Sequence, residues 1–170
     1  MWKNLLLPNL LLASLLGFCG PAAALDSDRE QPVSLEADAA VMDEAKGHYI
    51  YSGNVVVTQG SMVINADIIE ILMDANNNID QFLAKGNSAG QAHLQQTAES
   101  DGSILDAWAD DLVYDLGKDI IILTGNAALH NHGNQFSGDQ IHYAVADEQV
   151  KASAKPNTKQ RVKMIFNPGS

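Results

Sequence analysis

Four times along this chain a small residue is followed by aspartate inside a strand-like apolar run: Ala37-Asp38, Ala66-Asp67, Ala109-Asp110 and Gly138-Asp139. The aspartates stand 29, 43 and 29 residues apart, and Gly53-Asn54, Gly86-Asn87 and Gly125-Asn126 intervene and read as turns. The longer form of the repeat is plainest when Tyr-Ser-Gly-Asn-Val-Val-Val, residues 51–57, is set beside Leu-Thr-Gly-Asn-Ala-Ala-Leu, residues 123–129. Each then runs on through a glycine, Gly60 or Gly133, to a small-Asp pair. A unit of one turn with its flanking strands cannot bury its apolar face alone, so the units must stack. Stacking produces an elongated structure with a continuous apolar inner face. It also leaves an open edge strand at each end, and an open edge is a template for pairing with another chain.

The rest of the sequence agrees with an all-β reading. Met62, Ile64, Ala66 and Ile68 alternate, as do Leu112, Tyr114 and Leu116, while Ile120–Leu123 is a β-branched run. Asp43–Gly47, Gln59-Gly60, Asn76–Asn78, Ser100–Ser103, Leu116–Asp119, Asn131–Asn134 and Ala146–Gln149 supply turn chemistry between the runs. Pro32, Pro156 and Pro168 lie near the ends, where proline harms a sheet least. Ala89–Glu99, rich in Ala and Gln, is the ambiguous stretch and is read as a strand. Ten or more strands of this kind suggest a sandwich, a jelly roll or a solenoid.

The first 24 residues read as a secretory signal peptide: Lys3, a largely apolar Leu5–Phe18, then Ala22-Ala23-Ala24 as the small-residue cleavage site. A spanning helix would need about 20 consecutive apolar residues, and Pro8, Asn9 and Ser14 interrupt this stretch. Lipidation at Cys19 would want a small residue before it, where Phe18 stands. Cleavage after Ala24 leaves residues 25–170 as a single soluble periplasmic domain without cysteine, so no disulfide braces it. Loss of Lys3 moves the net charge from −11 to −12. Such acidity argues against nucleic acid, whose phosphates need a basic face, and against electrostatic docking to an anionic membrane. An anionic amphiphile would have to be held by its apolar part.

Several blocks, taken in order, resemble the OstA-like family of periplasmic lipopolysaccharide-transport proteins. They are Glu36-Ala37-Asp38, Tyr51–Gly60 (Tyr-Ser-Gly-Asn-Val-Val-Val-Thr-Gln-Gly), Ile64–Asp67, Tyr114–Leu116, Leu123–Ala127 and Gly138–Tyr143. The similarity covers most of residues 30–166. It implies a twisted, open β-jelly roll whose apolar interior groove holds the acyl chains of lipid A, with no cofactor. It also implies head-to-tail self-association and edge-strand pairing with an LptC-like inner-membrane protein and an LptD-like outer-membrane protein. Gly90-Gln91-Ala92-His93 stands where the family usually carries a bulkier, often aromatic, residue.

Period-2 alternation groups Val33 with Leu35, Val55 with Val57, Met62 with Ile64, and Leu112 with Tyr114 and Leu116. The resemblance makes these the candidate lipid-binding positions, Val33 and Leu35 above all, because the end of a groove is more open than its middle. In any β-sandwich the same positions are ordinary core. The repeated aspartates could be a carboxylate cluster, but repetition at unit spacing spreads them along a stack, so they read as turn residues accepting backbone hydrogen bonds. His130, His132 and His142 could ligate metal, but Asn131, Gly133 and Asn134 surround the first pair and no cysteine supports them. Trp108 reads as a packing residue. There is no phosphate-binding glycine loop, and neither catalytic nor metal residues are assigned. A lipid carrier and a structural module that stacks end to end without lipid both remain open. A paucity of large aromatics to fill the many inward apolar positions favours the carrier.

Overall fold

The computed structural model describes residues 28–97 and 102–167. The signal-peptide reading, Pro168 and the first half of the Ser100–Ser103 turn lie outside them. A short 3-10 segment, Asp28–Glu30, precedes twelve strands: β1 Val33–Glu36, β2 Ala39–Asp43, β3 His48–Gln59, β4 Met62–Met73, β5 Ile79–Lys85, β6 Ala92–Thr97, β7 Ile104–Ala109, β8 Asp111–Asp115, β9 Ile120–Asn131, β10 Asn134–Ala144, β11 Gln149–Ser153 and β12 Lys163–Ile165. The ambiguous Ala89–Glu99 contains strand β6.

The pairing is an antiparallel meander of bent strands. The first half of β3 pairs with β2 and its second half with β1. The first half of β4 pairs with β6 and its second half with β5. β9 and β10 divide in the same way, between β8 and β7 and between β11 and β12. Along the sheet the order is therefore β1/β2, β3, β4, β5/β6, β7/β8, β9, β10, β11/β12, which is also chain order. Folding every strand at its middle gives two facing arms joined along a crease, a jelly-roll-like wedge. One arm holds β1, β6, β7 and β12 with the adjoining halves of the long strands; the other holds β2, β5, β8 and β11.

The sequence repeat marks this crease. Small-Asp and Gly-Asn pairs alternate strand by strand across it: Ala37-Asp38, Gly53-Asn54, Ala66-Asp67, Gly86-Asn87, Ala109-Asp110, Gly125-Asn126 and Gly138-Asp139. Gly53-Asn54 and Gly125-Asn126 are not the hairpin turns that the sequence suggests. Both lie inside continuous strands as bulges, two residues opposing one, Asp67 or Asp139, where the register shifts. All four residues have positive φ, 79 and 48° in the first pair and 78 and 48° in the second, which Gly and Asn tolerate. The chain bends there without reversing. Gly86-Asn87 does lie in a turn, between β5 and β6.

The aspartates tie neighbouring strands at the crease. The Asn side-chain amides donate to them: Asn54 Nδ2 to Asp38 at 2.8 Å, Asn87 Nδ2 to Asp67 at 2.8 Å and Asn126 Nδ2 to Asp110 at 2.9 Å. The N–H groups of Asp38 and Asp110 donate in turn to the carbonyls of Gly53 and Gly125, both at 2.9 Å. Asp38, Asp67 and Asp110 thus accept from asparagine side chains rather than from turn backbone as expected.

Side-chain size is graded away from the crease. Inward positions run Ala84 to Phe82, Ala92 to Leu94, Ala109 and Ala107 to Leu105, Ala127 to Leu129, and Leu112 to Tyr114. Small residues let the arms approach at the crease, and larger ones fill the widening space at native packing density. Ala92, at the departure from the family pattern, is one of the small residues required at the narrow end.

Candidate functional site

The nine candidate residues all face the interior or its rim. Val55, Val57, Met62, Ile64, Leu112 and Tyr114 are 0–2% exposed and belong to one buried cluster. Val33, Leu35 and Leu116 are partly buried and pack on its margin. Val33 and Leu35 stand opposite Gln59 and Val57, at the end of the sheet. The middle of the wedge is thus filled by its own side chains, and the rim positions are the accessible ones. The structure adds further large inward residues: Ile69, Ile71, Phe82, Leu94, Leu105, Ile121, Leu123, Leu129, Ile141 and Tyr143. Simple alternation misses Ile69 and Ile71 because the inward phase flips at the crease on every strand that carries a small-Asp pair. On β4 it passes from Met62 and Ile64 to Ile69 and Ile71; on β10 from Phe136 to Ile141 and Tyr143. The bulged strands keep their phase, from Tyr49 and Tyr51 to Val55 and Val57 on β3. The small-Asp pair was therefore the available signal for the flip.

Polar groups gather at the mouth, opposite the crease. Asn131, on one arm, donates through Nδ2 to Tyr143 Oη on the other at 3.0 Å. Burial, then the nearby Glu148 carboxylate, pushes the Tyr143 phenol up to about 12. Burial also raises Tyr114, whose hydroxyl donates to Asp119 at 3.4 Å. The segment Asp28–Glu30 lies on the first arm. Asp28 accepts from the Ser61 N–H at 2.7 Å, the Ser61 hydroxyl at 2.5 Å and Gln96 Nε2 at 3.0 Å. Burial works to raise the Asp28 carboxyl, but these hydrogen bonds outweigh it and hold the group below its ordinary value. From the same segment Arg29 reaches the second arm and pairs with Asp119, the two side chains being 49% and 29% exposed. An ion pair that open contributes about 0–1 kcal/mol.

The remaining residues singled out by sequence do not converge. Trp108 points to the outer face of its arm, stacked on His93 at 4.8 Å between ring centres and edge-on to His130 at 5.0 Å. His132 lies in the β9–β10 turn, 3.9 Å from Glu148, and His142 is on β10 opposite Ile122 and Lys151. The two ends of the sheet differ in charge. Between Gln149 and Phe166 there are five cations, Lys151, Lys155, Lys159, Arg161 and Lys163, and no acid. Between Asp28 and Lys46 there are six acids and two cations. Large apolar side chains are exposed at both ends, Val41 and Met42 at one, Met164, Ile165 and Phe166 at the other. Among the described residues no helix is long and apolar enough to cross a membrane.

Residues 34–149 match the family described as LptA/(LptD N-terminal domain) LPS transport protein. The chain is 32% identical over 150 residues to the lipopolysaccharide export system protein LptA of Escherichia coli K12, covering 88% of this chain and 80% of that protein. It is 32% identical over 166 residues to LptA of Haemophilus influenzae, covering 98% and 91%. The crystal structure of LptH from Pseudomonas aeruginosa, described as the LptA-homologous periplasmic component of the lipopolysaccharide transport device, superposes with a TM-score of 0.74 at 28% identity, covering 84% of this chain and all of that one.

Proposed function

This chain belongs to the LptA/LptD N-terminal domain family of lipopolysaccharide transport proteins, and from that premise we propose that it carries lipopolysaccharide across the periplasm by shielding acyl chains between the two arms of the wedge. The observation that carries this reading is the apolar interior, continuous from arm to arm and widening from alanines at the crease to Tyr, Phe and Leu at the mouth. An acyl chain moved from water into such an interior gains about 0.8 kcal/mol per buried methylene. Val33, Leu35 and Leu116 at the rim meet the chain first. Val55, Val57, Met62, Ile64, Leu112 and Tyr114 line the space it enters when the arms part. No chemical step is required; the protein is a carrier, and direction comes from an energy source elsewhere.

The two sheet ends support assembly. A basic end with exposed Met164, Ile165 and Phe166 complements an acidic end with exposed Val41 and Met42, which suits head-to-tail pairing of copies. The same edges suit an LptC-like partner at the inner membrane and an LptD-like partner at the outer membrane. The closed packing of the central cluster favours one rival, a structural module that stacks without lipid. Photo-crosslinking in cells separates the two, with a probe at Leu35, on the inward face, or at Glu36, on the outward face. A lipopolysaccharide adduct at Leu35 alone is expected. Adducts at neither position in a folded protein would overturn the carrier reading in favour of the module.

A further inference from the structure

The mouth is closed differently at its two ends. Toward β11 the arms meet directly, through the Asn131–Tyr143 hydrogen bond at 3.0 Å. Toward β1 a cleft of about 560 Å³ opens between Gln59 on one arm and Met73, Ile79 and Leu116 on the other, where the polar Asp74, Asn77, Asn78 and Asp80 also line it. Those three apolar residues pack on the buried cluster, so the floor of the cleft runs into the interior. The segment Asp28–Gln31 crosses this cleft like a strap, and its two attachments are unequal. On the first arm it is anchored by three hydrogen bonds to the Asp28 carboxylate, and Gln59 Nε2 donates to the carbonyls of Arg29 and Gln31 at 3.2 and 3.1 Å. On the second arm Arg29 is held by Asp119, a half-exposed ion pair, and also contacts the Tyr114 hydroxyl. A strap fixed on one side and lightly clasped on the other opens by releasing the clasp while its anchor holds.

We propose that this cleft is the port through which acyl chains of an amphiphile enter between the arms, and that the strap is its gate, closed by the Arg29–Asp119 clasp. The port rests on the carrier reading above; the clasp adds where loading occurs and what opposes it. The occupant is an acyl chain rather than a polar ligand because Met73, Ile79 and Leu116 form the continuous path inward.

The test uses residues 25–170, which contain no cysteine, since Cys19 falls within the segment read as a signal peptide. Arg29→Cys and Asp119→Cys are combined and joined by a short, reducible bis-maleimide, and loading of fluorescent lipopolysaccharide is followed by stopped-flow. Bridging is expected to slow loading by at least tenfold, and cleavage of the bridge to restore it. Asp119→Asn, with its fold checked by circular dichroism, is expected to load about two- to five-fold faster than the wild type, the range set by a half-exposed ion pair. The same bridge between Lys85→Cys and Asp111→Cys, on another part of the sheet, is expected to leave loading unchanged. Equal loading by the bridged and cleaved forms would overturn the gate while leaving the carrier intact. Failure of Asp119→Asn to load when the wild type loads would also overturn it, because the pair would then assist capture. Failure of the folded wild type to load would remove the carrier reading, and the port with it.

Discussion

Gly125→Ala tests whether the crease, and not only the apolar interior, holds the wedge together. Gly125 has φ +78°, and a Cβ added there would lie 2.5 Å from Asp110 Oδ2, 2.9 Å from its Cβ and 3.0 Å from its Cγ. The left-handed backbone alone costs an L-residue about 1–2 kcal/mol. The overlap requires Asp110 to swing away, which breaks its hydrogen bond from Asn126 Nδ2 and adds about 0.5–1.5 kcal/mol. The sum is about 1.5–3.5 kcal/mol, which for a chain of this size lowers the melting temperature by about 3–14 °C. Urea unfolding followed by circular dichroism reads the first quantity and a thermal melt the second. Asp110→Ala removes the carboxylate while leaving its Cβ, so adding Gly125→Ala in that background should cost about 1 kcal/mol less than it does in the wild type. A change below about 0.5 kcal/mol for Gly125→Ala, or equal costs in the two backgrounds, would refute the crease argument.

Phe82→Ala empties the wide part of the wedge, where Phe82 is fully buried, and should cost about 3–5 kcal/mol in urea unfolding. For Tyr143 the folded phenol is raised to about 12 from an ordinary 10, so its contribution to stability is complete below pH 10 and is lost as the pH rises toward 12; ultraviolet difference titration should show this tyrosine ionising after those on the surface. The Asp28 carboxyl is depressed, so it stabilises the strap above the ordinary aspartate value and that stability is lost as the pH falls through the lower folded value. Asp28→Asn should therefore flatten the acid limb of stability below the ordinary aspartate value of about 4 while costing about 1 kcal/mol at neutral pH, read by urea unfolding across the acid range. Reversing Lys159 and Arg161 to Glu should weaken self-association and remove its sensitivity to salt, measured by sedimentation at low and high ionic strength; unchanged association would count against the charged-end argument.

Local information fixed the class of this fold. Short β-branched runs separated by Asn, Asp and Gly turns can be buried only as strands, and the small-Asp and Gly-Asn repeat announced a unit that must stack. The same repeat hid its meaning. Gly53-Asn54 has the composition of a hairpin turn, and only the partners on either side show that the chain passes through it as a bulge. The difference matters because a turn would reverse the chain, whereas a bulge bends it and folds the sheet into two arms.

The candidate lining was legible where a strand keeps its phase and lost where the phase flips. Leu112 and Tyr114 follow from alternation, but Ile69 and Ile71 do not follow from Met62 and Ile64, since the crease between them exchanges the two faces. The mouth was not legible at all. Arg29 and Asp119 are separated by 90 positions in sequence, and no local pattern reports that a hairpin of one arm comes under a strap anchored on the other. Composition and alternation determined that this chain is a β-structure with an apolar interior. Tertiary pairing alone decided where that interior bends, how it tapers and which end of it opens, because those properties belong to the contacts between strands and not to the strands themselves.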